Sequence, residues 1–287
     1  MRNRLADHLT TWKAWYAVPA MFAIIIASLL PVVGNLLGAG DNTTVMALLV
    51  PAQFILFAVL ALGVIGLLAR KWPTTMDLGL KRSLGMREIL LLIVVFVVSH
   101  VGFWLLTLGR GTDGTSASRY FDELGLGGAL LPAALMLFAS VVLAPVCEEL
   151  LYRGAVMRPI HDALARRGLP VLAAVVSILA SSFAFAMPHL GASLSAGEAA
   201  AFVLTGIAFG LVYLITGSMT ATMVAHSLQS CFAFAQVLIF GAGDHEVSPL
   251  LYVMVFTCPI IVFLIARGLH AVLPAGRPAM SGASAAR

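Results

Sequence analysis

Only 10% of the 287 residues are charged, 61% are hydrophobic, and the mean hydropathy is +1.01. A soluble domain covers its surface with about 25% charge, so that class is excluded. The net charge of +4 comes with no basic cluster apart from membrane-flanking positions, which excludes a nucleic-acid binder.

What remains is an all-α, multi-pass membrane protein, because the period-two alternation of a β-barrel is absent. In chain order, the uncharged intervals lie between Lys13 and Asp41, Asp41 and Arg70, Glu88 and Arg110, and Glu123 and Glu148. Further intervals lie between Arg167 and Glu198, Glu198 and Asp244, and Glu246 and Arg267. Each holds about 20 helical residues, the length that crosses the hydrocarbon. The interval from Ala199 to Gly243 is too long for one helix, and Thr216-Gly217-Ser218 breaks it. About eight transmembrane helices are therefore expected in a single domain over 1–273, followed by a Pro/Gly/Ala/Ser-rich, disordered tail over 274–287.

With both termini cytoplasmic, 15 of the 17 Lys and Arg residues fall on the cytoplasmic side, and only Arg110 and Arg119 fall outside. That is a positive-inside distribution. The first apolar run is expected to be an uncleaved span rather than a signal peptide. The compact loops point to the plasma membrane, which is the inner membrane in a bacterial host.

Cys147, Cys231 and Cys258 sit in apolar stretches and are expected to be buried thiols rather than a disulfide framework. The sequence Gly-Ala-Gly-Asp occurs at Gly38–Asp41 and Gly241–Asp244, at the external ends of spans, where it is ordinary turn chemistry. Gly191 to Leu194 offers a serine in a generic loop.

Ionisable residues inside a span cost at least about 2.5–3.5 kcal/mol each and need a reason. After the uncharged run from Leu124 to Cys147 come Glu148, Glu149 and Arg153, and the helix stays apolar to about Arg158. Glu149 and Arg153 are spaced for a helical ion pair, with the acid on the N-terminal side. Glu148 is turned about 100° away and left free. His189 follows Phe185 by one turn, and His226 precedes Ser230 by one turn. His100 in the third span is expected to be a packing residue.

The ordered set Glu148-Glu149-x-x-x-Arg153, Phe185-x-x-x-His189, and His226 with Ser230 four later resembles the CPBP family of intramembrane proteases. These are the CAAX prenyl protease and bacteriocin-processing proteins of Ras-converting-enzyme type. The motif-bearing core spans about 127–240, and the polar site is expected between helices 4, 5 and 7. The resemblance implies an endopeptidase acting on a membrane-associated protein or peptide, prenylated or a peptide precursor. In that scheme Glu148 activates water with His189, and His226 with Ser230 stabilises the oxyanion. Glu149, Arg153 and Phe185 support them. Where the family usually has Asn, this chain has Ser230, whose hydroxyl donates with shorter reach.

A metal-independent reaction is favoured. The alternative is Zn held by Glu148, His189 and His226, with a position open for water. For His189 to meet Glu148, helices 4 and 5 should protrude as a cytoplasmic hairpin carrying Arg158, Arg166 and Arg167, or helix 5 should enter near Val176. Rival readings of the same cluster are a proton- or cation-handling transporter, a non-proteolytic peptide-binding or immunity protein, and a thiol nucleophile at Cys147.

Overall fold

The computed structural model describes residues 3–39, 42–107, 115–189 and 196–276. Eight long helices organise it: α1 (Ala14–Gly38), α2 (Thr43–Ala69), α3 (Met86–Thr107), α4 (Leu130–Ala165), α5 (Pro170–His189), α6 (Ala196–Thr216), α7 (Met219–Phe240) and α8 (Pro249–Val272). No strand occurs among the described residues. All but α3 meet length and composition limits for a membrane span. The 22 residues of α3 are mostly apolar and reach about 33 Å, enough to cross as well. Arg110, the Gly191–Leu194 stretch and the tail from 277 onward lie outside the described residues.

The outward faces are apolar at helical spacing. Val18, Phe22, Ile25 and Leu29 along α1, and Val253, Phe256, Ile260 and Leu264 along α8, are all exposed. Such stripes are stable only against lipid. The opposite face of α1 carries buried Ala20, Ala23 and Ala27. Small residues there let α2 approach closely.

The break between α6 and α7 falls where the sequence places it. Gly217 takes a φ of 59°, and the Ser218 side chain accepts from Ala221 N at 3.1 Å to cap α7. The second Gly-Ala-Gly-Asp forms a turn after α7, with Gly243 at a φ of 54°.

Helix α4 continues past Arg158 to Ala165, 36 residues in all, at most about 54 Å. Arg158, His161 and Asp162 are buried beneath the N-terminal segment. Asp162 Oδ2 accepts from Thr10 N, from Thr10 Oγ1 and from Arg158 Nε, each at 2.8 Å. Arg158 also donates to the His8 carbonyl, and Arg166 donates to the carbonyls of Thr10 and Trp12. The polar end of α4 is thus folded against residues 3–13, with Leu5 and Trp12 buried as apolar anchors. The outer face of α5 is apolar and exposed from Val171 onward.

Candidate active site

Two prolines shape the centre of α4. Pro145 and Pro159 lack a backbone donor, and their rings crowd the carbonyl four residues back. The helix widens before each one. Residues Ala139–Leu143 and Leu150–Met157 are π-helical, with Ala144 N bonded to Ala139 O and Arg158 N to Arg153 O. π-Turns are rare in helices and concentrate at functional sites. Glu148 and Glu149 stand between the two, at the end of the ordinary α-helical stretch Ala144–Glu149.

Glu149 and Arg153 form the expected pair, both fully buried. Arg153 Nη1 donates to Glu149 Oε1 at 3.1 Å, and Nε stands 3.1 Å from Oε2 without hydrogen-bond alignment. The guanidinium also donates from Nη2 to the Gly206 carbonyl at 2.9 Å. Its Cζ lies 5.2 Å from the Phe185 ring centre and 5.5 Å from that of Phe209. These aromatic faces complement the buried charge.

Glu149 also reaches a histidine. His226 Nδ1 stands 3.0 Å from Glu149 Oε1. Donation from Nδ1 to this carboxylate fixes the ring, so the neutral imidazole presents the Nε2 lone pair to the other side. There Glu148 Oε2 lies 4.0 Å from Nε2. This is too long for a direct hydrogen bond and is a spacing that one bridging water can fill. Glu148 is buried and its Oε2 has no hydrogen-bond partner. A buried carboxylate oxygen left unsatisfied is a costly arrangement that a purely structural role does not explain. Ser230 is buried one turn beyond His226.

His189 is held by the same logic. Its Nδ1 lies 2.8 Å from the Phe185 carbonyl, and its ring stacks on Phe202 at 4.6 Å. Donation to that carbonyl again leaves Nε2 as an acceptor. Phe185 joins the parts, with its ring centre 5.0 Å from His189, 5.5 Å from His226 and 5.6 Å from Tyr152. His189 is half-buried, between the buried Phe185 and exposed Met187 and Pro188.

Every site residue singled out in the sequence therefore falls on α4, α5 or α7, and Phe185 touches His189, His226 and Arg153. Helix α6 is an addition. Its Phe209 stacks on His226 at 4.8 Å and 25°, and its Gly206 supplies a carbonyl to Arg153. The available signal was Gly206 and Gly210, a small-xxx-small pair that marks close helix packing. A Cβ on Gly206 would stand 2.9 Å from Ser182 Cα on α5. His100 packs between Phe96 and Phe232, each 4.1 Å away, with Nδ1 2.7 Å from the Phe96 carbonyl.

Among the described residues, no group of three His, Cys, Asp or Glu side chains stands close enough to hold a metal ion. Glu148, His189 and His226 do not converge as one ligand set, so no step is derived through Zn.

No curated protein and no solved structure matches this chain. A family model does. Residues 130–232, from the start of α4 into α7, match the type II CAAX prenyl endopeptidase, Rce1-like. That stretch contains all of Glu148, Glu149, Arg153, Phe185, His189, His226 and Ser230. Over that stretch the chain is similar to CAAX-type proteases, which supports assigning this segment to the CPBP family.

Proposed function

We propose that this membrane protein hydrolyses a peptide bond with a water held between Glu148 and His226, with His189 beside them across the Phe185 ring. The observation carrying this reading is the unpartnered Glu148 Oε2, facing His226 Nε2 across 4.0 Å inside the matched domain. Glu148 takes a proton from the water as its oxygen attacks the carbonyl carbon. The proton taken by Glu148 then moves to the His189 Nε2 lone pair and from there to the leaving amine as the C–N bond breaks. His226 serves the oxyanion from Nε2 when protonated, because Nδ1 is committed to Glu149. A donor so placed is worth about 3–4 kcal/mol in the transition state. Ser230 adds a hydroxyl one turn away. Glu149, itself anchored by Arg153, is the positioning residue for His226.

The proposed substrate is a membrane-associated protein or peptide. A prenylated CAAX terminus and an unprenylated precursor are its two candidate forms, with entry from the cytoplasmic leaflet. The test is cleavage of membrane-tethered peptides, with and without a prenyl group, by protein reconstituted in vesicles. Wild type should release a defined fragment that Glu148→Ala does not, and a chelator should leave the rate unchanged. Fragment release by Glu148→Ala would overturn the assignment of the base, and loss on chelation would transfer the reaction to a metal.

A further inference from the structure

Two of the three cysteines lie on the packed helices α7 and α8 and take no part in the proposed chemistry. Cys231 lies nine residues before the end of α7 at Phe240, and Cys258 lies nine residues after the start of α8 at Pro249. The two helices are consecutive and antiparallel, so equal distances from their connection put both residues at one level. Side-chain contacts agree. Ser227, one turn before Cys231 on the same face of α7, donates from Oγ to Cys258 Sγ at 3.3 Å. Cys258 Sγ in turn lies 3.6 Å from the Ser227 carbonyl. Cys231, one turn on from Ser227, thus sits on the α7 face that packs against Cys258 of α8. Cys258 is fully buried and Cys231 is half-buried, so one partner is reachable from outside the bundle. Cys147 is apart from them, buried on α4 next to Glu148.

We propose that Cys231 and Cys258 are an oxidisable dithiol that links α7 to α8 through a reversible disulfide. A disulfide needs Cα atoms about 4.4–6.8 Å apart and Cβ atoms facing each other. Cysteines at one level on facing sides of two packed antiparallel helices come near that geometry. As the S–S bond forms, the pair loses two protons and two electrons. A lipid-permeant acceptor of the quinone or azo class takes both and leaves as quinol or hydrazine. The consequence for the reaction follows from position. Cys231 adjoins Ser230 and lies five residues from His226, so a bond to α8 ties down the turn of α7 that carries both. Oxidation also removes the thiol hydrogen of Cys258 and changes its bond with Ser227.

The probe is the azo oxidant diamide, applied to the full-length protein in vesicles, followed by alkylation, intact-mass measurement and peptide mapping. The expected result is the joint loss of two of the three thiols, a mass lower by two hydrogens, and a peptide joining Cys231 to Cys258. Dithiothreitol should restore all three thiols. Cys231→Ser and Cys258→Ser should each keep their remaining thiols free of any internal disulfide under the same treatment. Three free thiols in oxidant-treated wild type would overturn the proposal, as would a disulfide to Cys147. These readouts do not depend on proteolysis, so the proposal and the assigned activity can fail separately.

Discussion

Glu148 and Glu149 differ by one position and by everything around them. Glu149 shares one oxygen between Arg153 and His226 and keeps the other beside the guanidinium. Glu148 keeps an oxygen with no hydrogen-bond partner, 4.0 Å from His226 Nε2. Removing the charge at each should therefore act in opposite ways. Glu149→Gln strands a fully buried Arg153, and breaking such a pair costs about 3–5 kcal/mol. A marked fall in melting temperature is expected, together with a fall in kcat at little-changed KM as His226 loses its anionic partner. Glu148→Gln relieves an unsatisfied buried carboxylate and should melt no lower than wild type. Thermal unfolding of the two purified variants checks the contrast, and equal destabilisation would contradict it. The pairing of Glu149 with Arg153 was legible from their spacing alone. The contact from Glu149 to His226 was not, because it spans 77 positions and depends on how α7 packs against α4.

At the scale of elements, the close approach of α5 and α6 positions the buried cation. Gly206 puts its carbonyl on Arg153 and its missing side chain against Ser182. Gly206→Leu should push α6 away from α5, with the 1–3 kcal/mol or so typical of overpacking. It should also lower turnover by loosening Arg153 and Phe209 together. Melting temperature and cleavage rate measured side by side test this, and a variant unchanged in both would show that the contact is dispensable. Helix boundaries set by turn chemistry, such as Thr216-Gly217-Ser218, could be read directly. The π-helical turns of α4 could not, since uniform helical spacing carries no record of a widened turn. Its cause, Pro145 and Pro159, is assigned only once the widened turns before them are seen. Phe209 was one aromatic among many in an apolar run, and only the fold gives it a face against His226.

Over the whole molecule, the N-terminal segment joins parts distant in sequence. It covers the end of α4 and, through His8, meets Asp77 at 3.3 Å. Asp77 sits in the short helical turn Thr75–Leu78 after α2 and forms a capping box with Thr74. Burial alone would raise its pKa. The hydrogen bonds from the Thr74 side chain and backbone, then His8, and the charge of Lys71 outweigh burial and hold the carboxyl below its usual value of 3.8. A depressed folded value means stability that is present above the unfolded value and lost as pH falls through the folded one. Asp77→Asn should accordingly melt below wild type at pH 6, and the two curves should converge toward pH 3. A constant gap would contradict this. Composition made the membrane class and the helix count plain. It could not reveal this docking, because a short polar segment reads as a free tail until Leu5 and Trp12 are seen to be buried.

The most direct test of the account is turnover of a membrane-tethered peptide by Glu148→Gln, in protein that melts no lower than wild type. Loss of at least about a hundredfold in kcat, the low end of general-base contributions, is the predicted result. Turnover within a few-fold of wild type would contradict the assignment of Glu148 as the group that activates water.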